Sequence, residues 1–560
     1  MIMDFNITGL RNNIFYRNNL YRDYVFEFDK LRNFFSYDYR LPEQYKARAD
    51  FLKKTYDKDI KNNLCDELYD YNNSFGCGKK TLENIDILKK EDSFTLVAGQ
   101  QPGIFSGPLY TIYKAISLAS VSKMLSEKLN IKIVPVFWNA SDDNDIDEIK
   151  SINIPSGSLE KISIDIPGYL SRLSFSKMVL PVDEYENLAR KLLDSLQETE
   201  YKKEIEKFLS RILDIMMNAG KNNGFSVSRF FSAILSHLFS DDGLIIIDPE
   251  LAVLKKFSRK IIEFDLSKQT EIHGSIDFNS KELTALGYHS QLSLLRDNLD
   301  FFLNTKNARE KIKISKRGSF FIHGYDSKKS EFSLNELKNI LFKNINDTAL
   351  SVITRPLLQD WVLPNIATIC GPGEISYFAQ IKDVYTFFGI EMPVIMPRLS
   401  ATIIERKIKE SIKKIKLDYE TLELFPERQT KAILKNMIGF DINSFLAELE
   451  KEMHELVRNK KETLRKHDID GDGPFNRIEN NLKKEIEILS KRILSEYGRK
   501  NSFVVDSINK IYNNLLPNKN LQERSVNVFD YINRYGFEII NSIKKKLDPF
   551  DFRHKFMEIA

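Results

Sequence analysis

The stretch from Phe94 to Trp138 limits the fold more than any other part of the chain. Phe94-Thr95-Leu96-Val97 is short, apolar and partly β-branched, and it ends at Ala98-Gly99; such a run bounded by a breaker is a strand. Gln100, Gln101, Pro102, Gly103 and Gly107-Pro108 then form a turn-rich loop. Pro108 suits the first turn of a helix, where its missing N–H costs nothing. From Leu109, Ile112, Ile116, Ala119 and Leu125 recur at steps of mostly three and four, predicting a helix to about Leu129. Ile131 to Trp138 is almost wholly apolar, as in a strand covered on both faces. Strand, helix and strand make a βαβ unit with a right-handed crossover.

The same design recurs far along the chain. Ile366 to Cys370 reads as a strand and Gly371-Pro372-Gly373-Glu374 as a tight turn. Ile375, Phe378, Ile381, Val384, Tyr385 and Phe388 mark a helix that stops at Gly389, and Pro393 to Pro397 is another strand. Leu244 to Ile247 adds a further apolar strand closed by Asp248-Pro249. These pieces predict an α/β fold: one parallel sheet assembled from two distant parts of the chain, with an insertion between them. The expected boundaries are a core over residues 1–400 with an insertion at about 151–350, a helical domain over 401–516, and a segment over 517–560 that docks back on the core. Within the insertion, residues 250–345 read as mixed loop and strand, and Arg309 stands in a context too loose to define a site.

In open parallel sheets ligands bind beyond the carboxyl ends of the strands. Here one strand ends in Gly99-Gln100-Gln101, followed by a helix start at Gly107-Pro108, an arrangement that favours an anion. The next strand ends in Asn139, Asp142, Asp143, Asp145, Asp147 and Glu148, which suits an amine. The alternative is a solvated acidic cap on the helix that follows. Cys370 lies at a strand's carboxyl end, but no base flanks it, and packing is its simpler role. Cys65, Cys77 and His237 read likewise as structural residues.

A length of 560 residues calls for two or three domains. The net charge of +4 is too small for that size to argue for nucleic acid or an anionic membrane. No run approaches the roughly 18 apolar residues of a membrane span, and the first residues lack the apolar core of a signal peptide. Three scattered cysteines support neither a disulfide framework nor a zinc site, so a cytoplasmic chain is expected.

After Arg398 the chain turns charged and helical. Ile442, Phe445, Leu449, Met453, Leu456 and Leu464 form one apolar stripe; Ile478, Leu482, Ile486, Leu489 and Ile493 form another. Their spacing predicts a helical hairpin or coiled coil suited to dimerisation. Between the stripes, Asp468, Asp470, Asp472 and Glu479 match the D-x-D-x-D-G-x5-E spacing of a calcium loop. Asp and Gly are also ordinary helix-to-helix turn residues, and Pro474 follows the glycine.

The segments GQQPGIFSGPLYTIYK, PVFWNASDDNDIDEI, RPLLQDWVLPNIATICGPGEISYFAQIK and EMPVIMPRLS resemble the motifs of the BshC family, the cysteine ligases of bacillithiol biosynthesis. Weaker similarity continues through LFSDDGLIIIDP and LPNKNLQERSVNVFDYINRYG. The resemblance implies a Rossmann-like core of the class I nucleotidyltransferase type, a coiled coil that forms a homodimer, and ligation of L-cysteine to glucosaminyl-malate. It departs from the family at Asn144, where relatives carry a histidine, so that any base falls to Asp143 or Asp145. The chain has no plain counterparts of the HIGH and KMSKS signatures; ATP with Mg²⁺ is therefore a candidate co-substrate that the motifs leave unassigned.

In the mechanism this implies, Asp142, Asp143, Asp145 and Glu374 are the catalytic candidates. Gln100, Gln101, Gly107, Pro108 and Lys114 would hold phosphates or carboxylates, and Arg355 or Arg398 would clamp a carboxylate in bidentate fashion. Tyr110, Trp138, Asn139, Gly371, Gly373, Tyr377 and Ser400 complete the expected binding surface. The rival readings are a non-catalytic nucleotide- or sugar-phosphate-binding protein on a coiled coil, and a ligase for another amino acid and amine.

Overall fold

The computed structural model describes residues 5–10, 13–90, 92–156, 158–219, 224–315, 317–322, 331–439, 441–467, 469 and 472–559. The chain divides into two compact units. One comprises residues 1–9, 16–402 and 522–555; the other comprises residues 10–15, 403–521 and 556–560.

The first unit is organised on a parallel sheet of five strands: β1 (Ser93–Gln100), β2 (Lys132–Asn139), β3 (Ile245–Ile247), β4 (Asn365–Cys370) and β5 (Val394–Pro397), in the spatial order β5-β4-β1-β2-β3. The two βαβ units read from the sequence thus meet at the β4–β1 pair, where Thr368 lies opposite Val97 and Ile369 opposite Ala98. Strands β1 and β2 pair along their full length, from Ser93–Lys132 to Gln100–Asn139. Leu96, Val97, Ala98, Val136, Phe137 and Trp138 are all fully buried, which explains why these strands are apolar without alternation. Helix α1 (Leu109–Leu129) makes the first crossover and ends on Asn130 in the left-handed conformation, φ 52°. Helix α5 (Pro372–Phe388) makes the second and ends on Gly389, φ 86°.

The long connection between β2 and β4 holds α2 (Val227–Leu238), α3 (Ala252–Ala285), α4 (Arg355–Val362) and an antiparallel five-stranded sheet over residues 298–350. Helix α3, with 34 residues, replaces part of the mixed loop-and-strand region expected there. Its buried stripe is broken by Asp265, His273 and Asn279, each buried because it has a partner elsewhere. Asp265 accepts from the Asp300 amide, His273 bonds Asp300, and Asn279 donates to the Gln380 carbonyl.

In the second unit, α6 (Ile442–Arg465) packs on α7 (Asp472–Lys500), with Val457 and Leu494 buried and His454 3.6 Å from Glu479 across the pair. Phe445, Leu456, Ile478 and Leu489 from the two apolar stripes are exposed. Asp468, Asp470 and the side chain of Asp472 lie outside the described residues, so the expected calcium loop does too. Among the described residues, no group of three or more His, Cys, Asp or Glu is placed to hold a metal ion, and no helix is long and apolar enough to cross a membrane.

Candidate active site

A cavity of about 580 Å³ lies in the first unit at the carboxyl ends of β1, β2, β4 and β5, within the size range of small-molecule sites. Each wall follows from a strand end. Gly99 is the last residue but one of β1, and a Cβ there would stand a tight 3.3 Å from the Trp138 carbonyl oxygen. Trp138 itself lines the cavity, fully buried, with its indole N–H unpartnered among the described residues. Gly371, Pro372, Gly373 and Glu374, the first turn of α5, form the wall beyond β4.

Charge is distributed around this space in both signs. Asp142 is buried and lines the cavity, and its carboxylate accepts no hydrogen bond among the described residues. Loss of water pushes its pKa up to about 6, against the opposing pull of Arg309, Lys255 and Arg355. Asp143 is tied differently: Oδ2 accepts from Gln101 Nε2 at 3.0 Å, Oδ1 accepts from the Asn144 amide at 2.8 Å, and Arg309 lies 3.7 Å away. Glu148 also faces the cavity, its carboxyl raised by partial burial and by Asp145 and Asp143 nearby.

The Lys114 ammonium is buried and has three partners, equal to its donor capacity. It donates to the Gly99 carbonyl at 2.6 Å and to Gln100 Oε1 at 3.0 Å, and pairs with Glu374 Oε2 at 2.5 Å. Glu374 Oε2 also accepts from the Gly371 amide at 2.7 Å, so this pair ties α1 to the start of α5. Gln100 donates at 3.4 Å to the Tyr110 hydroxyl, whose pKa burial raises to about 12.

Arg355 donates to Gln359 Oε1 at 3.0 Å and to the Tyr377 hydroxyl at 3.2 Å, and lies over the Trp138 ring at 5.9 Å. Its partners are neutral; it makes no ion pair among the described residues. Arg309 comes from the antiparallel sheet and stacks on Phe302 at 3.6 Å, with Nε buried and unpartnered.

The structure differs from the sequence-based expectation at several positions. Gly107 and Pro108 do not reach the cavity. Three successive left-handed residues, Phe105 (φ 49°), Ser106 (φ 68°) and Gly107 (φ 69°), turn the loop inward, and Phe105 packs against Phe230 and Phe529. Asn527 Nδ2 then takes the Phe105 and Gly107 carbonyls, and the Leu109 amide donates to the Val526 carbonyl, so the helix start is occupied by protein. Asp145 is exposed outside the cavity, where it precedes the short helix Ile146–Ile149. Asn139 is fully buried and donates to Ser228 and Ser232. Ser400 bonds Glu523 and His554 behind the wall. Arg398 borders the cavity, but its fork grips Glu523 through bonds of 3.1 and 2.6 Å, both side chains buried, and is not open to a substrate carboxylate. Asn144 holds the Arg172 carbonyl and accepts weakly from Arg309 Nη1; it does not line the cavity.

Gln100, Gln101, Tyr110, Lys114, Trp138, Asp142, Asp143, Arg355, Gly371, Gly373, Glu374, Tyr377 and Arg398 are brought together around one space. Arg309 and Arg524 also line it, but sequence reasoning gave neither a role. Residues 3–399 match the family described as "Bacillithiol biosynthesis BshC, N-terminal Rossmann-like domain", and residues 401–559 match "Bacillithiol biosynthesis BshC, C-terminal coiled-coil domain". The chain belongs to the BshC family. Similar relatives carry the name "Putative cysteine ligase BshC". That of Desulforamulus reducens is 28% identical over 97% of this chain and 98% of its own length. That of Salinibacter ruber is 27% identical over 97% and 96%, and that of Bacillus licheniformis 28% identical over 97% and 98%. A solved structure described as an arginyl tRNA synthetase from Campylobacter jejuni aligns with a TM-score of 0.20 at 10% identity over 89% of this chain and 98% of its own, too slight a likeness to carry an argument. The α/β core and the helical pair expected from the sequence are thus those of BshC, a ligase family of bacillithiol biosynthesis.

Proposed function

We propose that the chain ligates L-cysteine to the glucosamine amine of glucosaminyl-malate, forming an amide. The observation that carries this reading is Asp142: a buried carboxyl without a hydrogen-bond partner among the described residues, its pKa raised to about 6, on a cavity that also presents guanidinium groups. An amine attacks only when neutral, and a carboxylate with a pKa near 6 holds an ammonium by charge and accepts its proton near neutral pH. Asp142 is the base in this scheme. Asp143 and Glu148 supply the negative field that gathers the amine, and Arg309 and Arg355 orient carboxylates in bidentate fashion. Lys114 and Glu374 neutralise each other and fix the wall. A base at Asp142 accounts for a working site with Asn144 in place of a histidine.

A free carboxylate does not condense with an amine in water, so the cysteine carboxyl needs activation. ATP with Mg²⁺ is the candidate co-substrate: its phosphoryl or adenylyl group would pass to the cysteine carboxyl with release of ADP or pyrophosphate, and the amine would then displace phosphate or AMP to form the amide. The chain also works as a cytoplasmic homodimer in this reading. The 60% exposure of Leu456 and the 46% exposure of Phe445 on α6 support a second copy against that helix. The test is an exchange of substrates: cysteine with glucosaminyl-malate, serine with glucosaminyl-malate, and cysteine with a simple amine, each followed by mass spectrometry. The expected outcome is a dominant cysteinyl-glucosaminyl-malate product. Faster turnover of either alternative pair would overturn the substrate assignment.

A further inference from the structure

Among the described residues, one cation that lines the cavity has neither a hydrogen-bond or ion-pair partner nor a part in the scheme above. Arg524 lines it from a segment more than one hundred residues after β5 in sequence, beyond the two long helices. The residues on either side are immobilised. Glu523 is buried and accepts the Arg398 fork, the Ser400 hydroxyl and the Ala401 amide. The Val526 carbonyl accepts the Leu109 amide, and Asn527 is fixed to the Phe105 and Gly107 carbonyls.

The backbone at Arg524 is thus held from both directions, whereas its own side chain is exposed and makes no hydrogen bond or ion pair among the described residues. Of the other cations of the cavity, Lys114 is saturated and Arg398 belongs to Glu523, while Arg309, beside Asp143, and Arg355, on Gln359 and Tyr377, already serve the scheme above. The charge of Arg524 is felt by both signs around it: Arg17 is repelled, and the Glu148 and Glu523 carboxylates are attracted, without any of them bonding it among the described residues.

We infer that Arg524 is the specificity-determining residue that reads the carboxylates of the acceptor's malate. The inference rests on the proposed acceptor. It gives the two ends of the acceptor separate partners: the amine goes to Asp142, and the malate carboxylates go to the exposed guanidinium. It also gives the segment after the coiled coil a direct part in substrate choice, with Glu523 as the anchor and Arg524 as the reader.

The test uses the full-length protein, its Arg524→Gln and Arg524→Lys variants, and two acceptors: glucosaminyl-malate and methyl glucosaminide, which has the same sugar and no carboxylate. Losing one charge-assisted contact to a carboxylate corresponds to about tenfold or more in affinity. The ratio of kcat/KM for glucosaminyl-malate over methyl glucosaminide should fall by at least about tenfold in Arg524→Gln, through KM rather than kcat, with Arg524→Lys intermediate. An unchanged ratio would overturn the inference. Calorimetric titration of the same proteins with glucosaminyl-malate separates this from the functional reading. A wild type that binds glucosaminyl-malate tenfold more tightly than Arg524→Gln but makes no product would sustain the role of Arg524 and sink the ligase assignment. Equal binding by both would sink the role of Arg524.

Discussion

Replacing Asp142 with asparagine should make the protein more stable and less active at the same time. Asp142 is 4% exposed, and burial raises its pKa from 3.8 to about 6. Each unit of pKa shift corresponds to about 1.36 kcal/mol, so holding the ionised form in the folded state costs about 3 kcal/mol. The sign follows from proton binding. Between pH 3.8 and 6 the folded state holds the proton more tightly than the unfolded chain, so this group's contribution to stability falls as pH rises and the full cost is present above pH 6. Asparagine has nearly the shape of the neutral acid and carries no such cost. Taking roughly 2.1 cal/mol/K of unfolding entropy per residue over about 430 residues of the first unit, 3 kcal/mol amounts to about 3 °C in Tm. Differential scanning calorimetry of wild type and Asp142→Asn from pH 4 to pH 8 checks this. The variant should melt about 3 °C higher at pH 8, and the gap should close towards pH 4. A constant gap across that range, or a variant less stable at pH 8, would refute the argument that Asp142 is held ionised at a cost.

The rate has its own pH dependence. With Asp142 as base, kcat/KM should rise through an apparent pKa near 6 and level above it, and the Asp142→Asn protein should lack that limb; a wild-type profile flat from pH 5 to 8 would remove Asp142 from the chemistry. Glu523→Gln leaves the buried Arg398 without its counter-charge, so thermal melts should show a loss of about 3–5 kcal/mol. Glu523 has its pKa lowered, with Arg398 opposing the effect of burial. Its stabilisation is therefore present above its ordinary pKa and is lost on acidification, so wild type and Glu523→Gln should converge in acid. Leu456→Glu on the exposed stripe of α6 should shift light scattering from dimer towards monomer while leaving the helical circular dichroism intact.

The sheet was legible because its information is local: an apolar run, a glycine turn and a periodic helix each announce themselves within about twenty residues, twice over. That Gln100, Asp142, Asp143 and Glu374 share one space followed from the rule that strand ends in parallel sheets converge on a site. What stays hidden in the sequence is non-local. Pro108 marks the beginning of a helix, but nothing near it in sequence shows that Asn527, 420 residues beyond Gly107, occupies the carbonyls beside it. Arg398 looked like a substrate clamp because its partner Glu523 lies 125 positions on. Helix α3 was hidden because Asp265, His273 and Asn279 break its apolar stripe, and only the folded chain shows what buries them. Arg524 carries no local mark at all, and its position depends on contacts made by its neighbours.

The most direct test of the central claim is product formation by the purified full-length protein. Wild type and Asp142→Asn would be incubated with L-cysteine, glucosaminyl-malate, ATP and Mg²⁺, and thiols would be followed by mass spectrometry. The wild type should form the amide-linked cysteinyl-glucosaminyl-malate, and the variant should form it at least about a hundredfold more slowly. No product from the folded wild type, or equal rates from both proteins, would contradict the central claim.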